Sequence, residues 1–336
     1  MKKIKWCVIG AGGIADRRAI PALIQDKNNV LVAVMDKNEN VAKEVASKHG
    51  VGQYFSDVEQ MLKSVKCDAV YICTPVFCHF EQAMLALKYG LHVFIEKPVA
   101  MNSKEGARLV SAFKAAGKQL TVGYMMGYHN LHCKARDIIA NGGLGKINLV
   151  RMQFSCWYPD IEGAWRQNRL LSGGGCIMDL AVHCLELFSS ITGDSVEDVK
   201  AFYLADTFKY EVEDSAVITF RSKGGILGHI DVNFNIPDNA AESRLEIYGT
   251  SGSIYATGTL GQEEKGKLRY TYCPQGDYEA QQTRTSAKPV VYYGKGSNIY
   301  TKQFKAFNKL VREGVDYTNA DMAVTVQKIC DEIYSN

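Results

Sequence analysis

The stretch "CVIGAGGIADRRAIPAL" (residues 7–23) joins a short apolar run to a helix-like segment through a glycine-rich turn. Gly10, Gly12 and Ala15 have the spacing G-x-G-x-x-A. In that motif the first glycine allows a tight turn, the second lets the backbone approach a pyrophosphate, and the small third residue lets the helix pack on the strand. The first N–H groups of the helix then face the phosphates. The stretch therefore predicts a dinucleotide-binding turn, with an ordinary glycine turn as the alternative.

The next apolar run, "VLVAVMD" (30–36), ends in a carboxylate where the dinucleotide motif uses one. Asp36 is expected to accept hydrogen bonds from the adenosine ribose. Its negative charge would repel a 2′-phosphate, so NAD is the predicted cofactor. NADP stays possible because Lys37 lies beside it. The alternative is an exposed aspartate without a ligand.

Up to about residue 122, short apolar runs alternate with helix-like segments. The predicted strands are 5–10, 30–36, 69–75, 92–98 and 119–124. The predicted helices lie near 14–26, 39–49, 57–64, 79–89 and 103–116. Apolar strands separated by helices indicate a parallel sheet covered on both faces. Residues 1–122 are therefore predicted to form a doubly wound, Rossmann-type α/β domain.

The pattern changes after residue 122, where a helix over 129–141 is followed by runs of alternating polarity. The predicted strands are 147–157, 196–204, 215–221, 226–234 and 243–248, and "YGTSGSI" (248–254) has the composition of a hairpin turn. Within 147–157, Asn148 is out of step with the alternation. Two helices, near 299–313 and 321–335, close the chain. Residues 123–336 are predicted to form an α+β domain whose mostly antiparallel sheet has one open face.

Composition excludes several classes of function. The 336 residues suffice for two domains, and a net charge of +3 is too small to indicate a nucleic-acid or membrane partner. No apolar run in the sequence is long enough to span a bilayer. The ten cysteines form no C-x-x-C pair, which favours free thiols in a reducing cytoplasm. No metal site is predicted, because ligands do not cluster at short spacing.

Two further strand ends carry polar residues toward the carboxyl edge of the sheet, where doubly wound folds bind ligands. "CTPVFCHF" (73–80) places Thr74 and Pro75 there, and His79 begins the next helix as either a cofactor contact or an ordinary first-turn residue. "LHVFIEKPVA" (91–100) places Lys97 at the rim directly after a buried strand.

These motifs, in this order, resemble the glucose–fructose oxidoreductase / inositol dehydrogenase (Gfo/Idh/MocA) family. The likeness rests on G-x-G-x-x-A at 10–15, "TP" at 74–75 and "EKP" at 96–98. It continues in "WRQNRLLSGGGCIMDLAVHCLELF" (165–188), a glycine triplet followed by D-x-x-x-H. The resemblance covers nearly the whole chain. It implies a Rossmann domain and a second domain with a large open sheet that often serves oligomerisation, here as a homodimer or homotetramer.

The resemblance also implies site residues. Lys97 is expected near the nicotinamide, with Asp179 and His183 completing the catalytic group. Trp165 and Arg166 match a family position near cofactor and substrate.

Three positions depart from the pattern. Val76 replaces a frequent asparagine, Ala181 replaces the usual glycine two residues before the histidine, and Gly127 stands where relatives often have arginine. The last departure lies on the substrate side, so no particular substrate is carried over.

The same residues suit oxidation of a secondary alcohol, which needs a base for the hydroxyl proton and a donor for the developing alkoxide. Histidine titrates near neutral pH, so His183 is the expected base. Asp179, four residues earlier on one helix face, is expected to orient the imidazole or bind a second hydroxyl. The charge of Lys97 would stabilise the alkoxide in a water-poor cleft. The predicted activity is hydride transfer between NAD(P) and a secondary carbinol of a polyol, sugar or sugar derivative, as in inositol dehydrogenase.

Alternatives remain open from the sequence. The chain could be an NAD-dependent glycosidase of the same family, or a non-catalytic dinucleotide sensor or scaffold. Lys97 and Glu96 could form an ion pair at a hinge, and Asp179 and His183 could simply support their helix.

The complete prediction assigns two sets of residues. Those expected to bind the cofactor are Gly10, Gly12, Gly13, Ile14, Asp36, Lys37, Thr74, Pro75, His79, Glu96, Lys97, Trp165 and Arg166. Those expected to bind the small-molecule substrate are Lys97, Tyr124, Arg166, Asp179 and His183.

Overall fold

The computed structural model describes residues 3–274, 276, 280, 287–296 and 298–335. The chain divides into two compact units. The first comprises Met1–Tyr124, Asn168–Gly173 and Tyr300–Asp331, and the second comprises Met125–Gln167, Gly174–Ile299 and Glu332–Asn336. The compact units are therefore not the two continuous segments 1–122 and 123–336.

The first unit is built on a six-stranded sheet with the order β3-β2-β1-β4-β5-β6, in which all neighbours are parallel. Its strands are β1 Ile4–Ile9, β2 Asn29–Met35, β3 Tyr54–Phe55, β4 Ala69–Ile72, β5 His92–Ile95 and β6 Leu120–Val122. The helices between them are α1 Ile20–Gln25, α2 Glu39–His49, α3 Val58–Ser64, α4 His79–Lys88 and α5 Ser103–Ala116. The order and the parallel direction confirm the predicted Rossmann-type domain.

The last two helices, α9 Ile299–Glu313 and α10 Thr318–Ser335, were predicted within the second domain, but most of both packs in the first unit. The reason is aromatic packing. The ring of Phe304 lies 5.5 Å from Trp6 and 5.0 Å from Phe94, and Phe307 lies 4.9 Å from Trp6. All four side chains are buried, so α9 completes the core of the parallel sheet.

The second unit contains an eight-stranded sheet with the order β14-β13-β12-β11-β7-β10-β9-β8. Its strands are β7 Ile147–Ser155, β8 Val196–Leu204, β9 Ser215–Ser222, β10 Leu227–Asn233, β11 Arg244–Gly249, β12 Gly252–Thr257, β13 Lys267–Tyr272 and β14 Val290–Tyr293. Strand β10 runs parallel to β7, and the other neighbouring pairs are antiparallel. The remaining α-helices are α6 Asn130–Ala140, α7 Arg169–Ser172 and α8 Val182–Thr192. The large, mostly antiparallel sheet confirms the predicted fold class.

Two local features of this sheet correspond to the sequence pattern. The β7–β11 ladder pairs Leu149 with Tyr248 and then Ile147 with Gly249, so Asn148, which is out of step with the alternation, is skipped and forms a bulge. Strands β11 and β12 are joined by two residues, as the hairpin composition predicted.

One helical stretch, Arg169–Thr192, has the length and mean hydropathy of a membrane span, although 78% of its apolar window is buried inside the protein. Core helices of this composition use their apolar residues for packing. Part of the stretch is irregular, because Ile177–Ala181 forms a π-helical turn before α8 begins.

Candidate functional site

The carboxyl edge of the parallel sheet collects four predicted segments of the first unit. Gly10 follows β1, Asp36 follows β2, Thr74 follows β4 and Lys97 follows β5. Strands β2, β1, β4 and β5 are consecutive neighbours, so their carboxyl ends meet at one edge. The sequence prediction that these segments share an edge is confirmed.

The glycine turn has the geometry its motif requires. Gly10 has a φ of +91°, and a Cβ atom there would lie 2.9 Å from the backbone N of Thr74. Gly13 also has a positive φ, of +53°. Near Gly12 the closest atom to an added Cβ is Asp36 Oδ2 at 4.0 Å, so the protein itself leaves this position open. The helical segment that follows begins at Ile14 without a side-chain cap.

These differences predict opposite results for two substitutions. Gly10→Ala should lower the free energy of unfolding by about 2–4 kcal/mol, because it combines backbone strain with overlap against Thr74. Gly12→Ala should change that free energy by less than about 0.5 kcal/mol, since it meets no protein atom. It should nevertheless weaken NAD binding on the order of tenfold, because it occupies the approach of the pyrophosphate.

Thermal unfolding and calorimetric titration with NAD, run on both variants, check this pair of expectations. A Gly12→Ala protein that keeps wild-type NAD affinity would contradict the assigned role of the turn.

Asp36 is hydrogen-bonded to the turn and does not stand alone as an exposed acid. Its Oδ2 accepts from the Ala11 N–H at 3.0 Å, and its Oδ1 accepts from the Asn38 N–H at 3.0 Å. The side chain is half-buried, whereas Lys37 is exposed. An open glycine turn, uncapped helix N–H groups and a fixed carboxylate form a donor and acceptor set that fits a dinucleotide.

His79 is buried, and its ring serves the protein backbone. Nδ1 lies 2.9 Å from Pro98 O and Nε2 lies 3.0 Å from Thr74 O. Burial lowers the pKa of His79 to about 4, so the ring is neutral and its single N–H donates to one of these carbonyls. Both ring nitrogens therefore face protein carbonyls, and a contact of the ring with the cofactor stays a prediction. His79 connects the "TP" loop to the "EKP" loop that carries Lys97.

Glu96 is directed at its neighbours in the sheet. The Tyr71 hydroxyl donates to Glu96 Oε1 at 2.5 Å, and burial together with this carboxylate raises the pKa of Tyr71 well above its usual range. A Cβ atom at Gly123 would lie 3.1 Å from the same oxygen. Lys97 itself is half-buried, and the side chain of Tyr124, predicted to bind substrate, is buried. Pro75 and Thr74 are half-buried at the edge.

The second unit brings together three of its predicted residues. The Arg166 guanidinium stacks on the Trp165 ring at 4.3 Å, and Arg166 Nε lies 3.7 Å from Asp179 Oδ1. Arg166 and Asp179 keep 40% and 28% of their side-chain surface exposed, which leaves both accessible to a ligand.

Tyr158 joins this group, and the sequence did not single it out. Burial raises the pKa of Tyr158, the nearby Asp179 charge raises it further, and the Arg166 guanidinium opposes both effects. The signal in the sequence was only a polar aromatic residue just beyond β7, which is too common to be informative.

Asp179 and His183 do not lie on one regular α-helix as predicted. Asp179 belongs to the π-helical turn, in which the Val182 N–H donates to Ile177 O, five residues back. His183 lies in the first turn of α8, is 4% exposed, and has its ring 6.5 Å from Phe154. The wider turn changes the four-residue spacing on which the prediction of a shared face rested. Single π-helical turns of this kind occur frequently at functional sites.

Gly127, one of the three positions that depart from the family pattern, lies near the buried carboxyl group of Glu186. A Cβ atom there would lie 3.7 Å from Glu186 Oε1. Burial raises the pKa of Glu186 to about 8, against the opposing charge of Arg136. The Arg136 guanidinium donates to Gly127 O at 3.1 Å and to Ser190 Oγ at 2.9 Å. Arg136 therefore places its guanidinium directly beside Gly127.

Metal ligation has no candidate in the part of the chain that the structure describes. There, no group of three or more His, Cys, Asp or Glu side chains is arranged to hold a metal ion.

Comparisons with known proteins agree with this geometry. Residues 4–124 match the model of an oxidoreductase family with an NAD-binding Rossmann fold, and residues 132–255 match the GFO/IDH/MocA C-terminal domain. D-glucoside 3-dehydrogenase of Escherichia coli (strain K12) is 30% identical over 244 residues, which cover 67% of this chain and 68% of the relative.

Myo-inositol 2-dehydrogenase of Thermotoga maritima is 29% identical over 253 residues, which cover 74% of each chain. The fold is shared with aldose-aldose oxidoreductase from Caulobacter crescentus, whose structure aligns with a TM-score of 0.87 at 20% identity and covers 99% of this chain and 97% of that one. The two domain matches and these relatives show that the protein belongs to the Gfo/Idh/MocA family of oxidoreductases, as an NAD(P)-dependent dehydrogenase or reductase acting on CH–OH groups.

Proposed function

We propose that the enzyme transfers a hydride between NAD and a secondary carbinol of a polyol, sugar or sugar derivative. The observation that carries this proposal is the position of Lys97, which leaves β5 at the sheet edge that also holds the glycine turn and Asp36. A cation at the cofactor edge suits a reaction in which an alkoxide develops. The printed activities of relatives, on a glucoside and on myo-inositol, support the same substrate class.

Each of the three predicted catalytic residues has a role in this proposal. When bound, NAD supplies the hydride acceptor. Lys97 donates a hydrogen bond to the carbinol oxygen and stabilises its developing negative charge. His183 takes the hydroxyl proton, since an imidazole is suited to proton transfer near neutral pH. Asp179, held beside Arg166 at 3.7 Å, orients the substrate through a second hydroxyl.

A substrate screen tests the proposal. Inositols, aldoses, ketoses, sugar acids and methyl glucosides are offered with NAD and with NADP, and the absorbance of the reduced nicotinamide is followed. We expect turnover on at least one compound with vicinal secondary hydroxyls. Glycoside cleavage without net reduced cofactor would instead assign an NAD-dependent glycosidase. Dinucleotide binding without any turnover would assign a sensor or scaffold.

Cofactor preference follows from Asp36. We expect a lower dissociation constant for NAD than for NADP. Asp36→Ala should weaken NAD binding by about 10–100-fold, since a hydrogen bond to a charged group is worth about 1.5–3 kcal/mol. It should also bring the dissociation constants for NAD and NADP closer together. Calorimetric titrations with both cofactors measure this.

Asn38→Ala is the matched control for the Asp36 variant. Asn38 Oδ1 caps α2 by accepting from the Asn40 N–H at 3.1 Å. Loss of this cap should cost about 1 kcal/mol of stability and leave the ratio of the dissociation constants for NAD and NADP unchanged. Tighter binding of NADP than of NAD to the wild-type protein would overturn the preference.

We also propose that the open face of the second sheet forms a homodimer or homotetramer. Phe202 on β8 is 86% exposed and pairs across strands with Val217, which is also exposed. Toward the middle of the sheet the same face carries charges of both signs, such as Arg151 and Glu246 at 3.8 Å. A face with apolar and oppositely charged patches can complement a second copy of itself.

Sedimentation of the wild-type protein at micromolar concentration should therefore show an oligomer, and Phe202→Glu should shift it toward monomer. The control is Tyr54→Glu on β3 of the other sheet, also an exposed strand residue, which should not change the mass. A wild-type monomer would contradict the proposal. A cytoplasmic location is proposed as well, because all ten cysteines are free thiols.

A further inference from the structure

Gly174 and Gly175, just before the helical segment of Asp179, pack against two residues that the proposed function leaves without a role. A Cβ atom on Gly174 would overlap the Tyr334 hydroxyl, and one on Gly175 would overlap the backbone carbonyl oxygen of Glu213. Both positions need glycine because of these neighbours. At the start of this helical segment, the packing leaves no room for a side chain at either position.

Glu213 holds three consecutive N–H groups at this point. Its Oε1 accepts from the Gly175 N–H at 2.8 Å and from the Ile177 N–H at 3.0 Å. Its backbone carbonyl accepts from the Cys176 N–H at 3.0 Å. These are N–H groups that a helix start leaves without intrahelical partners, so a single buried residue satisfies three donors at this point.

Tyr334, near the end of α10, completes the arrangement. Its hydroxyl donates to Glu213 Oε1 at 2.7 Å, which makes that oxygen the acceptor of three hydrogen bonds. The Asp179 N–H in turn donates to Gly175 O at 3.0 Å. A displacement of Gly175 is therefore passed directly to Asp179, and one helical turn later to His183.

We infer that Glu213 and Tyr334 are positioning residues, which fix the start of the helical segment that carries Asp179 and His183. The inference rests on the proposed function for its effect on catalysis. Neither residue has to touch the substrate, since both act through the backbone of Gly175 and Ile177.

The charge of Glu213 provides a signature of this role. Burial raises its pKa, and the hydrogen bond from Tyr334 is the largest effect that opposes the rise. The other ionisable groups beside it are Cys176 and Asp214. Among the residues that the structure describes, Oε2 has no hydrogen-bond partner. Removal of the Tyr334 hydroxyl should therefore raise the pKa of Glu213 further, and a protonated carboxyl accepts more weakly from the helix N–H groups.

The test compares Tyr334→Phe with Tyr317→Phe. Tyr317 also donates its hydroxyl within the protein, to Phe113 O and Lys118 O at 3.1 Å, but it lies in the first unit. Tyr334→Phe should lower kcat on the order of tenfold, leave KM for NAD unchanged, and displace the kcat–pH profile to higher pH, because activity recovers only when Glu213 ionises. Tyr317→Phe should lower the melting temperature without these kinetic effects.

Two Glu213 variants separate the effect of the hydrogen-bond acceptor from the effect of side-chain size. Glu213→Gln keeps an acceptor oxygen that is neutral at every pH, so it should resemble the low-pH limit of Tyr334→Phe, retain more kcat than Glu213→Ala, and show no pH displacement on combination with Tyr334→Phe. Glu213→Ala should lose kcat per folded molecule. Equal activity of the alanine and glutamine variants, or a Tyr334→Phe profile that coincides with wild type, would overturn the inference.

A spectroscopic measurement tests the inference without relying on turnover. With histidine-selective labelling, the imidazole signal of His183 is identified by its absence in His183→Asn. It should shift in Tyr334→Phe and stay in place in Tyr317→Phe. If no sugar turns over, the proposed function fails while this measurement still decides the positioning role, and an unmoved His183 signal would refute it.

Discussion

Replacement of Lys97 by methionine should lower kcat by about a hundredfold or more, while the dissociation constant for NAD stays close to the wild-type value. Methionine keeps most of the length of the side chain and removes only its charge and its hydrogen-bond donors. The phosphates and ribose are assigned to the glycine turn and Asp36, so the cofactor should still bind. The rate falls because the alkoxide loses its positive partner in a site of low dielectric constant.

The matched control is Lys104→Met, since Lys104 is exposed in the first turn of α5. It should keep wild-type kcat. The loop that carries Lys97 is held by a buried contact, because His79 Nδ1 lies 2.9 Å from the carbonyl oxygen of Pro98, the next residue. If the Lys97 variant has wild-type turnover per folded molecule, the role assigned to the "EKP" segment is wrong.

Replacement of His183 by asparagine should also lower kcat by about a hundredfold or more, through loss of the proton acceptor. In addition, the ionisation of this imidazole should disappear from the kcat–pH profile. In the Lys97 variant that ionisation should remain and only shift. The two profiles together assign proton transfer to His183 and charge stabilisation to Lys97.

His183 is buried, so its variant needs a separate measure of folding. Loss of a buried polar partner costs about 1–3 kcal/mol, and kcat is therefore compared per folded molecule after thermal unfolding. His229→Asn is the control, because His229 lies on the open sheet face, 3.6 Å from Asp231. A purely supporting role for His183 would lower the melting temperature and leave both the residual kcat and its pH profile unchanged.

Local patterns were sufficient to predict five of the six strands of the first sheet, all but the two-residue β3, and the edge where these strands end. Apolar runs such as 92–98 are bounded by turn residues, and parallel neighbours place their carboxyl ends together, so Gly10, Asp36 and Lys97 could be assigned to one edge. The break in the alternation at Asn148 was visible in the sequence, but the structure was needed to show that it is a bulge.

Features that depend on distant partners were not predictable from those patterns. Phe304 and Phe307 look like the apolar stripe of any helix, and nothing local shows that they pack against Trp6. Glu213 contacts Gly175 across 38 residues and Tyr334 across 121, so neither contact has a sequence signature. The π-helical turn at Asp179 has the same composition as an α-helix, and only the hydrogen-bond pattern distinguishes them.

In the proposed reaction, a hydride passes directly between a secondary carbinol and the nicotinamide. A sugar or polyol that turns over in the screen is prepared with deuterium on the reacting carbinol carbon, and the reduced cofactor is analysed by mass spectrometry. We expect one deuterium in the nicotinamide ring and a slower rate than with the unlabelled compound, if direct transfer is correct. Reduced cofactor without deuterium, or no reduced cofactor from any compound with either NAD or NADP, would contradict it.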